Sequence, residues 1–156
     1  MGRKDEGETV FRGRYEHAID GKGRVSLPAR WREIMAGHDD PIIVVTVSHE
    51  PCLVARSLAA FREFEERLRR QNQFNPSVRR AMRHLVGNAQ ECPVDGMGRV
   101  LVPAALRDYA GLQKEVVFIG QVDQIEIWAK ERWEQRESED LSHLKDDVEA
   151  LSALGI

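Results

Sequence analysis

Two short stretches of this 156-residue chain gather side chains that could do chemistry. Asp20-Gly21-Lys22-Gly23-Arg24 and Asp95-Gly96-Met97-Gly98-Arg99 each set a carboxylate four positions ahead of a guanidinium, across two glycines. Phosphate cradling is the first chemistry to test. Gly21-x-Gly23 lacks the third glycine of a dinucleotide fingerprint, and a strand pattern follows where a helix must begin. Neither stretch is a GxxxxGKS/T loop. The aspartates are explained by their turns: the carboxylate accepts a backbone N–H two residues on, while Gly21 and Gly23 supply positive φ at little cost. Catalytic signatures do not assemble elsewhere. Histidines 17, 38, 49, 84 and 143 show no HExxH spacing and no local triad, and Ser142-His-Leu-Lys145 fits SxxK without its companion motifs. Cys52 and Cys92 lie far apart with no CxxC, so neither a disulfide framework nor a zinc site is indicated. His17 and Cys92 fall near strand starts and read as packing residues. No enzyme activity, cofactor, metal or small-molecule substrate is expected.

Binding is the chemistry that remains. Lys22 sits at the tip of the first turn with Arg24 at its base, Arg12 and Arg14 lie just before the first predicted strand, and Arg30 and Arg32 fall on the helix that follows. Residues 10–36 hold six basic side chains and three acidic ones. A two-stranded β-ribbon fits the DNA major groove, and an arginine bonding guanine O6 and N7 is worth about 1–3 kcal/mol of discrimination. Lys22, a point charge, suits a phosphate. Equally, Arg24 can pair with Asp20 and merely fix the turn. That second reading is stronger for Arg99, where Met97 replaces the lysine and the surroundings are acidic.

The charge distribution is asymmetric, which by itself favours ordinary solvated charge, with a polyanion-facing front half as the sharper reading. The net charge of −3 joins a front half, residues 1–86, with 16 basic and 12 acidic side chains to a rear half with 7 and 14. A polyanion meets the front half first. The composition, 42% apolar and 31% charged, excludes a disordered chain, and no run of about 18 apolar residues predicts a membrane span. The polar N-terminus lacks the apolar stretch of a secretory signal. A soluble cytosolic protein is expected.

The elements that position the two turns repeat. At an offset of 75, Asp20–Ala29 matches Asp95–Ala104 with seven of ten positions identical. Each copy reads as strand, glycine turn, strand, helix and two further strands. In the first copy these are Tyr15–Ile19, Arg24–Leu27, a helix opened by Pro28 with Trp31, Ile34 and Met35 on its apolar face, then Ile42–Val47 and Cys52–Ala55. The second copy answers with Leu106, Tyr109 and Ala110 on its helix, then Val116–Gly120 and Ile125–Trp128. Four short strands are too few for an independent sheet. Two copies that interleave their hairpins can close one pseudo-twofold body and remove the edges. Helices are predicted over Leu58–Leu68 and Ser77–Val86, with Arg67, Arg69, Arg70, Arg79, Arg80 and Arg83 on their outer faces. Near the end, Leu141, Leu144, Val148 and Leu151 run at 3-4-3 spacing among acidic residues. Under two heptads is too short for a coiled coil, so this segment packs on a neighbouring subunit or frays.

The doubled D-x-x-G-R-V-x-x-P pattern, with Val10-Phe-Arg-Gly13 before it and Ile125-Glu-Ile-Trp128 after it, resembles the MraZ family of bacterial transcriptional regulators. The match runs from Val10 to about Trp133. The resemblance implies a β-rich α+β fold: a double-split β-barrel of the AbrB-like swapped-hairpin type, built from two tandem pseudo-twofold repeats with flanking helices. The expected organisation is a polar extension over 1–9, a first repeat over 10–56, a helical connector over 57–87, a second repeat over 88–129, and a C-terminal helix with an acidic tail over 130–156. The family's D-x-x-x-R element contacts DNA and maps onto Asp20, Lys22 and Arg24, with a second occurrence at Asp95 and Arg99. The resemblance also implies a ring-shaped homo-oligomer that binds short direct repeats in double-stranded promoter DNA. It would regulate the division and cell-wall gene cluster that includes its own gene, with repression the expected direction, in the cytoplasm at the nucleoid. In a ring, one weak contact per subunit becomes effective through raised local concentration. A ring-forming interaction scaffold with incidental DNA binding is the alternative. Family chains begin near Val10, so residues 1–9 read as an extension or as preceding an alternative start; neither they nor the acidic tail after Ser138 is explained by the resemblance.

Overall fold

From Phe11 to Ala18 the ring-bearing residues Phe11, Tyr15 and His17 fall on odd positions and the charged Arg12, Arg14 and Glu16 on even ones, and this period of two sets the first strand against a core. The structure, a computed structural model, describes residues 10–37 and 41–156, so the expected 1–9 extension and His38 lie outside the described residues. In chain order it carries β1 (Phe11–Ala18), β2 (Arg24–Ser26), α1 (Ala29–Ala36), β3 (Ile42–Val47), β4 (Leu53–Ser57), α2 (Leu58–Arg69) and α3 (Pro76–Ala81). Then come β5 (Gln90–Pro93), β6 (Arg99–Leu101), α4 (Ala104–Ala110), β7 (Glu115–Val122), β8 (Ile125–Ala129) and α5 (Lys130–Ala153). The fold is mixed α+β and rich in sheet.

The repeats are interleaved. Six strands form one antiparallel sheet in the order β1-β7-β8-β4-β3-β5, and β2 pairs with β6 in a separate two-stranded ribbon. The first strand of each copy therefore leaves its own copy to pair with the third strand of the other: β1 lies on β7 along all eight residues, and β5 lies on β3. A further seam joins β4 to β8. The hydrogen-bonded ladder is open at β1 and β5.

Four local readings change. β1 begins at Phe11, four residues earlier than the pattern predicts, which puts Arg12 and Arg14 inside the strand. β2 touches its own first strand only through the bridge between Ile19 and Val25, and takes its ladder from β6. Pro28 caps α1 rather than opening it, as Pro103 does for α4. The helix expected over Ser77–Val86 is α3 followed by a single π turn at Met82–Val86, closed by the Gly87 N–H donating to the Met82 carbonyl at 3.1 Å.

The core lies between sheet, ribbon and the paired helices α1 and α4. Trp31 is fully buried at its centre and meets Phe11, Tyr15 and Phe118 edge-on at ring-centroid distances of 5.7, 5.1 and 5.9 Å. Those partners come from both copies, so one side chain ties the exchange together. On α4, Leu106 and Ala110 are buried but Tyr109 is exposed. Trp31→Ala should cost about 3–5 kcal/mol, read as a lowered urea midpoint. A fragment ending at Val86 leaves β1 and β2 without their partners. It should lose its dispersed amide spectrum or dimerise by exchanging strands; a folded monomeric fragment would contradict the interleaving.

Candidate nucleic-acid interface

The two turns fold the same way for the same chemical reason. Asp20 Oδ1 accepts from the backbone N–H groups of Lys22 and Arg24, both at 2.9 Å, and its Oδ2 accepts from Arg24 Nε at 2.8 Å. In the second copy Asp95 Oδ1 accepts from Met97 and Arg99 N–H at 2.9 and 2.8 Å, and Oδ2 from Arg99 Nε at 3.0 Å. The backbone closes each turn through Gly23 N–H to the Asp20 carbonyl and Gly98 N–H to the Asp95 carbonyl. Both readings of Arg24 thus meet in one geometry. The aspartate holds Nε and aligns the guanidinium, while the terminal nitrogens have no protein partner among the described residues and the side chain is 35% exposed. Lys22 is exposed at the tip; Met97, 67% exposed, takes its place in the second turn.

Pairing of β2 with β6 brings the two motifs onto one surface. Arg24 stands opposite Leu101, Val25 opposite Val100 and Ser26 opposite Arg99. With a period of two, Val25 and Val100 share the inner face, where both are buried, and Arg24, Ser26, Arg99 and Leu101 share the outer one. Arg24 and Arg99 are diagonal neighbours, roughly 7–8 Å apart by ladder geometry. The result is one short β-ribbon contributed by both repeats, with an arginine from each on its outer side and a glycine turn at each end.

Each helix also covers the other copy's turn. A Cβ on Gly23 (φ +89°) would lie 2.7 Å from the Arg107 guanidinium carbon and 3.0 Å from the Val102 carbonyl oxygen; one on Gly98 (φ +76°) would strike the Arg32 side chain. Glycine is required at 23 and 98 by both backbone angle and close approach; Gly21, expected at positive φ, does not adopt it, and a Cβ there would meet nothing within 4 Å, so the second glycine alone sets the turn. Arg107 Nε is buried without a hydrogen-bond partner among the described residues. Arg32 and Arg107 match in the repeat, but nothing in their spacing showed that each packs over the opposite turn.

The supporting arginines do not gather at this ribbon. Arg12 and Arg14 lie six to eight residues before Asp20 on β1, roughly 20–27 Å away at strand rise. Arg14 is paired with Glu16 at 3.0 Å and Glu137 at 3.8 Å. Arg30, exposed on α1, contacts Glu33 at 3.4 Å. Arg12 is exposed, with no ion pair among the described residues. A group that sequence reading missed is Glu50, Cys52 and Glu126, whose ligand-type atoms lie within 4.8 Å of one another. Its members already have protein partners. Glu50 accepts from Arg136 at 2.6 Å and Glu126 from Trp128 Nε1 at 2.9 Å. Burial, then the Glu126 charge, pushes the Cys52 thiol up to about 12, so it stays protonated. Cys92 is likewise buried and raised to about 11. Burial also lowers His17, helped by nearby Arg32.

Fold and turns define a class: a single-chain duplication whose halves exchange first strands and pool one arginine-bearing β-ribbon. A family profile described as "MraZ protein, putative antitoxin-like" matches residues 10–84 and again 85–152. The chain is 38% identical over 144 residues to the protein named Transcriptional regulator MraZ from Yersinia enterocolitica serotype O:8 / biotype 1B, covering 92% of this chain and 95% of that one. The proteins of the same name from Yersinia pestis (strain Pestoides F) and Yersinia pseudotuberculosis serotype O:1b match to the same extent. This chain belongs to the MraZ family, as the doubled motif indicated.

The Asp20 carboxyl is held down to about 2, chiefly by the Arg24 backbone N–H, with its guanidinium and the Lys22 N–H adding to this and partial desolvation opposing it. Asp95 is lowered by the corresponding groups. A carboxylate whose folded value lies below its unfolded one, about 3.9, supports the turn above pH 4, and that support is lost as pH falls through 2. Carboxyl carbon NMR should show Asp20 titrating near 2. In Arg24→Ala the midpoint should rise yet stay below about 3.9, because two backbone donors remain. A wild-type midpoint near 4 would mean the turn is not clamped.

Proposed function

We propose that this protein is a sequence-specific DNA-binding transcriptional regulator that reads promoter direct repeats with the β2–β6 ribbon. The observation that carries the reading is the pair of aspartate-aligned arginines on one exposed β-ribbon, one of them beside a lysine-tipped turn. An aligned guanidinium loses less freedom on docking than a free one, and its unused donors suit a guanine edge or a phosphate. In this reading Arg24 reads a base, Lys22 holds phosphate, Arg99 assists, and Asp20 and Gly23 shape the turn without touching DNA. Asp95 plays the Asp20 role in the second copy. Arg12, Arg14 and Arg30 are peripheral phosphate contacts at most, given their distance or their acidic partners.

Membership of the MraZ family, whose named relatives are transcriptional regulators, supports the rest of the proposal. The strand exchange is the double-split barrel of the swapped-hairpin type, divided into repeats and helical segments as the sequence suggests. Copies assemble into a ring at the nucleoid, and the target is the division and cell-wall cluster holding the protein's own gene, with repression the expected effect. A ring-forming scaffold with incidental DNA contact is the second reading, favoured by the exposed apolar stripe on α5.

A gel shift on the protein's own upstream region tests both. Arg24→Ala should abolish the shift while the oligomer persists, and Arg99→Ala should weaken it less. Log affinity should fall linearly with log salt as phosphate counterions are released. Equal loss from both substitutions would overturn the ranking of the copies, and a flat salt response would favour the scaffold.

A further inference from the structure

Among the described residues α5 is anchored at its base. Arg132 donates to the carbonyls of Pro51 and Tyr109 at 3.3 and 3.1 Å, and Arg136 donates to Glu50 at 2.6 Å. From Ser138 onward every residue is exposed, although the helix continues to Ala153. Sixteen residues of helix without packing are marginal in water, since most helical stability in proteins comes from a buried face. This segment has such a face. Leu141, Leu144, Val148 and Leu151 form one stripe, 61, 52, 54 and 42% exposed. Around it the segment carries five carboxylates and one lysine.

A complementary surface lies elsewhere on the fold. Beside α3 and the π turn, a cleft of about 620 Å³ is lined by apolar Val47, Leu85, Leu106 and Tyr109, with Arg80 and His84 among its polar groups. Its walls are held in place: Thr46 Oγ1 donates to the Leu85 carbonyl and Tyr109 Oη to the Ser48 carbonyl, both at 2.6 Å. Pro76–Val86 carries Arg79, Arg80 and Arg83 and no carboxylate. The π turn is itself a signal, because such turns are rare and recur at functional sites.

We propose that the acidic, leucine-faced outer half of α5 (138–153) of one copy docks head to tail in this arginine-flanked cleft of a second copy. Charge complementarity selects the occupant. Two α5 tails, each with a net charge of −4, repel one another, whereas the cleft offers cations around an apolar floor. A chain's own tail does not fill its own cleft, since every residue from Ser138 onward is exposed. A tail-to-cleft contact is heterologous, so it propagates from copy to copy and closes into a ring when the rotation allows. The inference rests on the proposed ring reading and supplies its contact, independently of DNA.

The test uses the full chain without DNA, by light scattering. Wild type should be an oligomer. Leu144→Asp with Val148→Asp, and separately Arg80→Glu with Arg83→Glu, alter exposed positions; each should give a monomer near 17.8 kDa with unchanged circular dichroism. Mixing the two variants should yield a 1:1 dimer of twice that mass, because one junction is intact: the tail of the Arg80/Arg83 variant in the cleft of the other. A monomeric wild type, oligomers surviving either pair of substitutions, or a mixture that stays monomeric would each overturn the proposal; an oligomer surviving in the Arg80/Arg83 variant alone would follow from tail-to-tail pairing. Arg24→Ala should leave the mass unchanged, so failure of DNA binding and failure of this contact are read separately.

Discussion

Six residues, Arg24–Ser26 against Arg99–Leu101, carry the constraint on which the molecule depends. Neither three-residue strand would persist alone. Together they gain a ladder that the flanking turns extend, since Leu27 N–H reaches the Gly98 carbonyl and Val102 N–H reaches the Gly23 carbonyl, both at 2.9 Å. A slip of one residue would misface one strand against the other, turning its valine out of the core and its arginine into it. Register is therefore enforced by the cost of burying a guanidinium group, and the same register sets the arginines side by side outside.

The ion pairs at this ribbon are exposed, and exposed pairs contribute little to stability. Their value is orientation. Asp20 and Asp95 each spend one carboxylate oxygen on two backbone donors and the other on a guanidinium, so turn shape and arginine direction are set by one group. The far flank behaves differently. There Arg14 is matched by Glu16 and Glu137, and Lys130 lies 3.5 and 3.6 Å from Glu16 and Glu115. Among the described residues, Lys22 at the tip of the first turn and Arg79 and Arg80 on α3 are exposed and make no ion pair. A net-acidic chain can thus offer a cationic surface to a polyanion, while its acidic end lies on a helix of its own.

The interleaving also explains why duplication persists within one chain. Each copy lacks the strand that covers its own sheet edge and finds it in the other. Trp31 sits where the exchange is densest, touching rings from β1 and β7, so core packing and strand exchange report on one another.

The repeat, the two aspartate–arginine turns, the apolar faces of α1 and α4 and most strands were legible in the residues themselves. Glycine at positive φ, proline at helix starts and period-two apolar runs are local signals, decided within a few positions. Strand partners are not local. That β1 belongs to β7, that β2 takes its ladder from β6, and that Arg32 and Arg107 lie over each other's turns depend on contacts between residues 66 to 111 positions apart, set by which arrangement buries both sets of apolar faces at once. Arg12 and Arg14 show the limit most clearly: adjacency in a basic stretch suggested a shared surface, but an eight-residue strand carries them to the opposite end. Chain order determined the chemistry available to each turn, and burial of a common core decided which turns stand together.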